Sequence, residues 1–159
     1  MAEPSNCVFC KTPATLHGAA DTDGYQWRCP QCGTYVMSGT AQSGIGANPI
    51  ARAGTVSGWI RQQNAMGIIP EIDSKQATRL RVLQKPPFKV RAERYLIAAV
   101  AKCQKLNDEF QPNALDLIGA SFSDDVGEVE LACRNFTLTP PLDPVACRLL
   151  PGSNHSISG

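Results

Sequence analysis

The chain has 159 residues, 43% of them hydrophobic and 18% charged, with a formal net charge of +1. Ile, Leu, Val and Phe together sit just above the roughly one-fifth share below which a chain cannot offset its folding entropy, which excludes wholesale disorder and predicts a thin core. Near-neutrality excludes global steering toward nucleic acid or an anionic membrane, and the length allows one ordinary domain or two small modules.

Met1 to Asn6 run into Cys7 with no apolar stretch of the signal-peptide kind. The longest apolar run, Leu96 to Ala101, is far short of the roughly 20 residues that span a bilayer. A soluble, cytoplasmic protein is expected. Of the seven cysteines, four fall in two C-x-x-C pairs. In a reducing compartment such pairs bind metal or do redox chemistry, and rarely form structural disulfides.

In chain order, residues 1–38 hold both cysteine pairs and short β-type runs. Tyr25 to Cys29 and Thr34 to Ser38 read as a hairpin with Cys29-Pro-Gln-Cys-Gly33 at its tip. Residues 39–48 are small and Gly-rich and read as a linker. Residues 49–136 read as helical. Asn48 and Pro49 supply an N-cap and a first-turn proline; Val56, Trp59, Ile60 and Gln63 share a face; Gly67 stops the helix. Asp73 or Ser74 caps a second helix with Ala77, Leu80 and Leu83 inward, ended by Pro86 and Pro87. A third spans 89–106 with Leu96, Val100, Cys103 and Leu106 as its stripe. A short apolar segment, Ala114 to Gly119, precedes a last helix capped by Ser123, with Val126, Val129, Cys133 and Phe136 on one face. Residues 137–159 carry four prolines and read as an irregular tail.

The helix, turn, helix spacing of 114–136 has a winged-helix look, although Asp124, Asp125, Glu128 and Glu130 on its second helix suit a helix dipole better than a DNA groove. Thr137 to Thr139 lead into prolines where a wing hairpin belongs. The expected fold is therefore α+β: a small β zinc ribbon over 1–38, a linker over 39–48, a mainly helical, winged-helix-like domain over 49–136, and the tail.

Cys7-Val-Phe-Cys10 and Cys29-Pro-Gln-Cys32 form a C-x2-C-x18-C-x2-C pattern. Two residues between paired cysteines let one tight turn aim both sulfurs at a point, and 18 residues allow a strand out and a strand back. Gly33 permits the positive φ that such a turn needs. Four soft thiolates in a tetrahedron suit zinc, with Cys7, Cys10, Cys29 and Cys32 as ligands. A rubredoxin-type iron site uses the same sulfurs, and two redox pairs are a further alternative. His17 reads as a loop histidine, and Cys103, Cys133 and Cys147 as small apolar residues. On this pattern alone, a chelator should melt 1–38 and leave the helices standing.

Neutrality hides a polarisation. Between Lys75 and Lys105 nine cations face Glu93 alone, whereas seven acids between Asp108 and Glu130 face only Arg134. The basic stretch is either a phosphate-binding face, with Arg79, Arg81, Arg91 and Arg94 as candidate nucleic-acid contacts, or one half of a self-neutralising pair of segments. Aromatic residues for base stacking are scarce there, which favours the second. Two histidines support no Ser/His/Asp set, and Gly44-Ile-Gly46 lacks the rest of a phosphate loop.

Cys29 through Ala41, followed by Ser57-Gly-Trp-Ile-Arg-Gln-Gln-Asn64, resembles the N-terminal zinc-ribbon and helical region of uncharacterised bacterial multidomain proteins. The resemblance spans about residues 5–136 and implies that Cys7, Cys10, Cys29 and Cys32 hold zinc. In those proteins a separate C-terminal domain follows. The resemblance therefore implies a stand-alone relative, a truncated one, or a reading frame shifted near residue 137. The function expected is a non-catalytic zinc-binding module that mediates protein or nucleic-acid interaction. The alternative is a zinc-ribbon DNA-binding regulator. No enzyme activity, membrane contact or small-molecule substrate is expected.

Overall fold

The computed structural model describes residues 2–18, 23–102, 115–125, 127–129 and 131. Four strands, β1 (Ala2–Asn6), β2 (Pro13–Gly18), β3 (Gly24–Cys29) and β4 (Gly33–Ser38), form an antiparallel meander, and β5 (Glu71–Ile72) joins β4 in parallel. The expected hairpin is β3–β4, with Trp27 opposite Tyr35 and Cys29 opposite Gly33. Burial alternates as the strand period requires: Trp27 and Cys29 on β3, and Tyr35 and Met37 on β4, face inward. The chain is thus α+β, with its sheet at the N-terminal end and helices after it.

The stretch read as a linker is helix α1 (Gly39–Ala47). Its three glycines make it a poor helix by propensity, but Ser38 accepts a bond from the Ala41 N–H at 3.2 Å, and Ala41 and Ile45, one turn apart, enter the core. Asn48 ends this helix instead of starting the next one. Pro49 pushes the residue before it out of the helical region, and Asn48 has φ −137° and ψ 88°. Helix α2 (Ala53–Ala65) accordingly begins four residues past Pro49. It ends before Gly67, which has φ +77°. Helix α3 (Ser74–Arg81) is capped by Asp73, whose Oδ1 accepts from the Gln76 N–H at 2.6 Å, and buries Ala77 and Leu80 as expected.

Helix α4 (Phe88–Lys102) buries Ala92, Tyr95 and Ala99. The larger Leu96 and Val100, expected as its stripe, lie on the exposed side, 40% and 72% accessible. Its neighbour explains the reversal. Helix α5 (Leu115–Ala120) packs on the face that carries Tyr95 and Ala99, so that Tyr95, Ala99, Leu117, Ile118 and Val129 form a compact cluster. Cys103 and Leu106 lie outside the described residues. Helix α5 ends in a paired turn in which the Ser123 N–H bonds Ile118 O at 3.2 Å and the Phe122 N–H bonds Gly119 O at 3.1 Å. Residues 127–129 are helical again, capped by Asp125, which accepts from the Glu128 N–H at 3.0 Å. Ser123, the expected cap, bonds Ser121. Val126, Cys133, Phe136, the expected wing and the tail fall outside the described residues.

A single larger core runs from Cys7 to Leu80 and unites the sheet with α1, α2 and α3. Helix α2 carries the next layer through its glycines. A Cβ on Gly58 would strike the Phe122 ring, and one on Gly54 would strike the backbone of Ser123. No helix among the described residues is long and apolar enough to cross a membrane.

Candidate metal centre

Each cysteine pair sits on a tight turn whose next residue has positive φ. The first turn joins β1 to β2. There the Lys11 N–H bonds Cys7 O at 3.0 Å, the Cys7 N–H bonds Thr12 O at 2.9 Å, and Lys11 has φ 63°. The second joins β3 to β4. There the Cys32 N–H points at Cys29 Sγ, 3.3 Å away, and Gly33 has φ +93°. The two turns converge because β1–β2 and β3–β4 are neighbouring hairpins of one sheet, with both turns at the same end.

The result is a cluster of four sulfurs, all within 4.8 Å of one another. Three edges measure 3.4 Å (Cys10–Cys32), 3.5 Å (Cys10–Cys29) and 3.6 Å (Cys7–Cys32). A disulfide would need about 2.05 Å, so the four are free thiols. A tetrahedron of sulfurs about 2.3 Å from a central ion has edges of about 3.8 Å. The cluster is thus already close to the shape that one metal ion requires, and it fits a zinc ribbon. His17 lies on β2, partly buried, and does not belong to the cluster.

The environment is closed. Cys7 and Cys32 are fully buried, Cys29 nearly so, and Cys10 is half-buried. Without a cation the four sulfurs cannot all ionise. Hydrogen bonding from Cys29, then Cys32 and Cys7, pushes the Cys10 thiol far below its ordinary range, whereas the bond to Cys10 pushes Cys29 and Cys32 up. A bound cation relieves that conflict by favouring the thiolate at every ligand.

Helix α2 lays a polar stripe against the second turn, at the i, i+4, i+7 positions Ser57, Arg61 and Asn64. Ser57 Oγ lies 3.0 Å from Cys32 Sγ. Arg61 donates from Nε to Gln31 O at 2.6 Å and from Nη2 to Pro30 O. Burial pushes its pKa down, and Asp116 works against this. Asn64 brackets Thr34, accepting from its N–H at 2.8 Å and donating to its carbonyl at 2.9 Å. Gly119 of α5 lies so close to Gln31 O that any Cβ there would collide with it. On the sheet side, Tyr35 is fully buried, stacks on Trp27 at 6.2 Å, and sets its hydroxyl 3.3 Å from Cys7 Sγ. Burial, then the negative charge of Cys7, holds its pKa well above the usual phenol range.

Read alone, the sequence assigns none of these neighbours a role at the metal centre, although several lie in the stretches that carry the resemblance. The legible signal was Ser57, Arg61 and Asn64 at helical spacing beside Val56 and Ile60, a polar stripe where a solvent face was the easy reading.

The charged segments pair with each other. Lys85 Nζ lies 2.9 Å from Asp124 and 2.7 Å from Glu128, Arg91 is 3.6 Å from Glu128, and Lys102 is 2.7 Å from Asp116. Arg81 donates to Gly44 O at 3.2 Å. Of the four candidate nucleic-acid contacts, Arg79 and Arg94 are exposed and form no ion pair among the described residues; Arg81 and Arg91 are half-buried. The four are split between α3 and α4.

Compared with known proteins, the chain matches no family model, no curated protein and no solved structure.

Proposed function

We propose that the protein is a non-catalytic zinc-binding module in which Cys7, Cys10, Cys29 and Cys32 hold one structural zinc, and that it acts by docking a protein partner in the cytoplasm. The observation that carries the zinc reading is the sulfur cluster, preformed at nearly tetrahedral spacing on two turns of matching geometry. Four protein ligands complete the coordination of zinc, so no position is left for water or substrate, which supports a structural and not a hydrolytic role. The turns and the α2 stripe would hold the ion, and zinc would supply the cross-link that a thin core lacks.

Docking of protein is preferred to binding of DNA because Lys85, Arg91 and Lys102 of the basic stretch are engaged by acids of the same chain. Cations already neutralised in this way have little to gain from phosphates.

Elemental analysis of the purified protein should find one zinc per chain; iron, or four free thiols with no metal, refutes the assignment. A cobalt-substituted sample should keep its visible spectrum when imidazole is added. A spectrum that changes reveals an open coordination position and overturns the non-catalytic reading. Random-sequence DNA in a gel shift at two salt concentrations separates docking from the regulator alternative: tight, salt-sensitive binding would favour the regulator.

A further inference from the structure

The four sulfurs are not equivalent. Cys7 and Cys32 have no solvent exposure, and each has a hydroxyl group in hydrogen-bond range: Tyr35 at 3.3 Å and Ser57 at 3.0 Å. Both hydroxyl residues are themselves fully buried, and they sit on different elements, β4 and α2. A metal-bound thiolate carries no proton and can only accept. In the loaded site each short contact must therefore be an O–H donated to sulfur. We propose that Tyr35 and Ser57 are positioning residues of the metal centre, donating one hydroxyl hydrogen bond each to the metal-bound sulfurs of Cys7 and Cys32. The proposal rests on the zinc reading above.

The two donors differ in what they give up. The Cys7 sulfur is within reach of the Tyr35 hydroxyl, and stacking of the ring on Trp27, with Phe9 at 5.3 Å, fixes its direction. Ser57 has two acceptors for one proton, Cys32 Sγ and the Ala53 carbonyl, each 3.0 Å away. In the loaded site the Ser57 O–H would turn from the Ala53 carbonyl toward the sulfur, its proton staying on Oγ. The exchange costs little, because such a back-bond one turn down a helix is slightly unfavourable in itself. It ties the first turn of α2 to the occupancy of the site. In chemical terms, each donated bond spreads the charge that four thiolates place on one divalent ion. In a buried site, charge left unspread is expensive.

The test compares the full chain with Tyr35→Phe and Ser57→Ala, each loaded with Co²⁺. Both substitutions keep shape: the phenyl ring retains the stack, and Ala suits a helix. Outer-shell partners of metal ligands are worth about 10–100-fold in affinity, so each variant should hold cobalt that much more weakly in competition with a chelator. The sulfur-to-cobalt charge-transfer bands should also move to lower energy, because the sulfur lone pairs lose their stabilising donor. A merely structural role would weaken binding and leave the bands in place, and that result overturns the proposal. So would wild-type affinity and spectra in both variants. If Tyr35→Phe does not fold, Ser57→Ala carries the test alone. A wild-type chain that binds no cobalt strikes down the zinc reading itself, a different failure from unmoved bands in a protein that does bind.

Discussion

Removing the metal should unfold far more than the segment that carries the cysteines. Structural zinc supplies on the order of 10–16 kcal/mol in small modules at neutral pH, comparable to or larger than the roughly 5–15 kcal/mol that holds a whole domain together. In this protein that energy is not confined to residues 1–38. Cys7 and Cys32 are fully buried in the same core as Val56, Ile60, Ile72 and Leu80, which belong to α2, β5 and α3. An emptied site leaves four crowded thiols within that core, and α1, α2 and α3 all bury side chains in it. These helices have 9, 13 and 8 residues, against 15 and 6 in α4 and α5, so they hold more than half of the helical residues among those described. A chelator titration, or the variant Cys32→Ser, should therefore lose the indole environment of Trp27 and a large part of the circular dichroism at 222 nm in one transition. Trp59→Phe leaves Trp27 as the sole fluorescence reporter. If the Trp27 signal changes while the helical signal stays intact, the sheet and helices are independent, as the cysteine pattern alone would suggest. The argument from the shared core is then wrong.

Gly33→Ala should destabilise the loaded protein by about 2 kcal/mol or more in denaturant melts, because the positive φ costs about 1–2 kcal/mol and the new methyl collides with Asn64 Oδ1. Gly58→Ala should cost about 1–3 kcal/mol by overpacking against the Phe122 ring, and a calorimetric melting temperature at or above wild type would refute the α2 packing described here. Arg61→Lys should speed zinc loss to a chelator, since a single ammonium cannot serve the Pro30 and Gln31 carbonyls as the guanidinium fork does; unchanged release kinetics would show that the second turn holds itself. Replacing Arg79, Arg81, Arg91 and Arg94 together with alanine should leave DNA binding absent, as in the wild type at moderate salt. It should lower stability by about 1 kcal/mol or less, since Arg91 is the one of the four with an ion pair among the described residues, 3.6 Å from Glu128. Wild-type binding whose affinity falls with a slope of about −0.9 per phosphate contact, and which vanishes in this variant, would reverse the preference for protein docking.

Local chemistry decided what could be read from the chain alone. Two cysteines on a tight turn announce themselves by spacing, and Gly33 by the φ that the turn demands. The β3–β4 hairpin follows from alternation around that turn, and α3 from Asp73 and the i, i+3 pair Ala77 and Leu80. Each of these signals is complete within a few residues.

The remainder depended on partners distant in sequence. Helix α1 has no propensity of its own to advertise, and it forms because Ala41 and Ile45 find a sheet to cover. The buried face of α4 is the one with Ala92, Tyr95 and Ala99, because α5 packs there, and no periodicity of Leu96 and Val100 could reveal that. The basic and acidic segments balance only once Lys85 and Arg91 meet Asp124 and Glu128. Around the sulfurs, the sequence named the four cysteines of the cluster, whereas Tyr35 is brought to Cys7 by the sheet, and Ser57, Arg61 and Asn64 meet the second turn because a helix is laid across a stretch of chain about 30 residues earlier. Ligand spacing is a property of backbone turns and is written locally. The shell that holds and tunes those ligands is assembled by packing, and only the tertiary structure decides which side chains it contains.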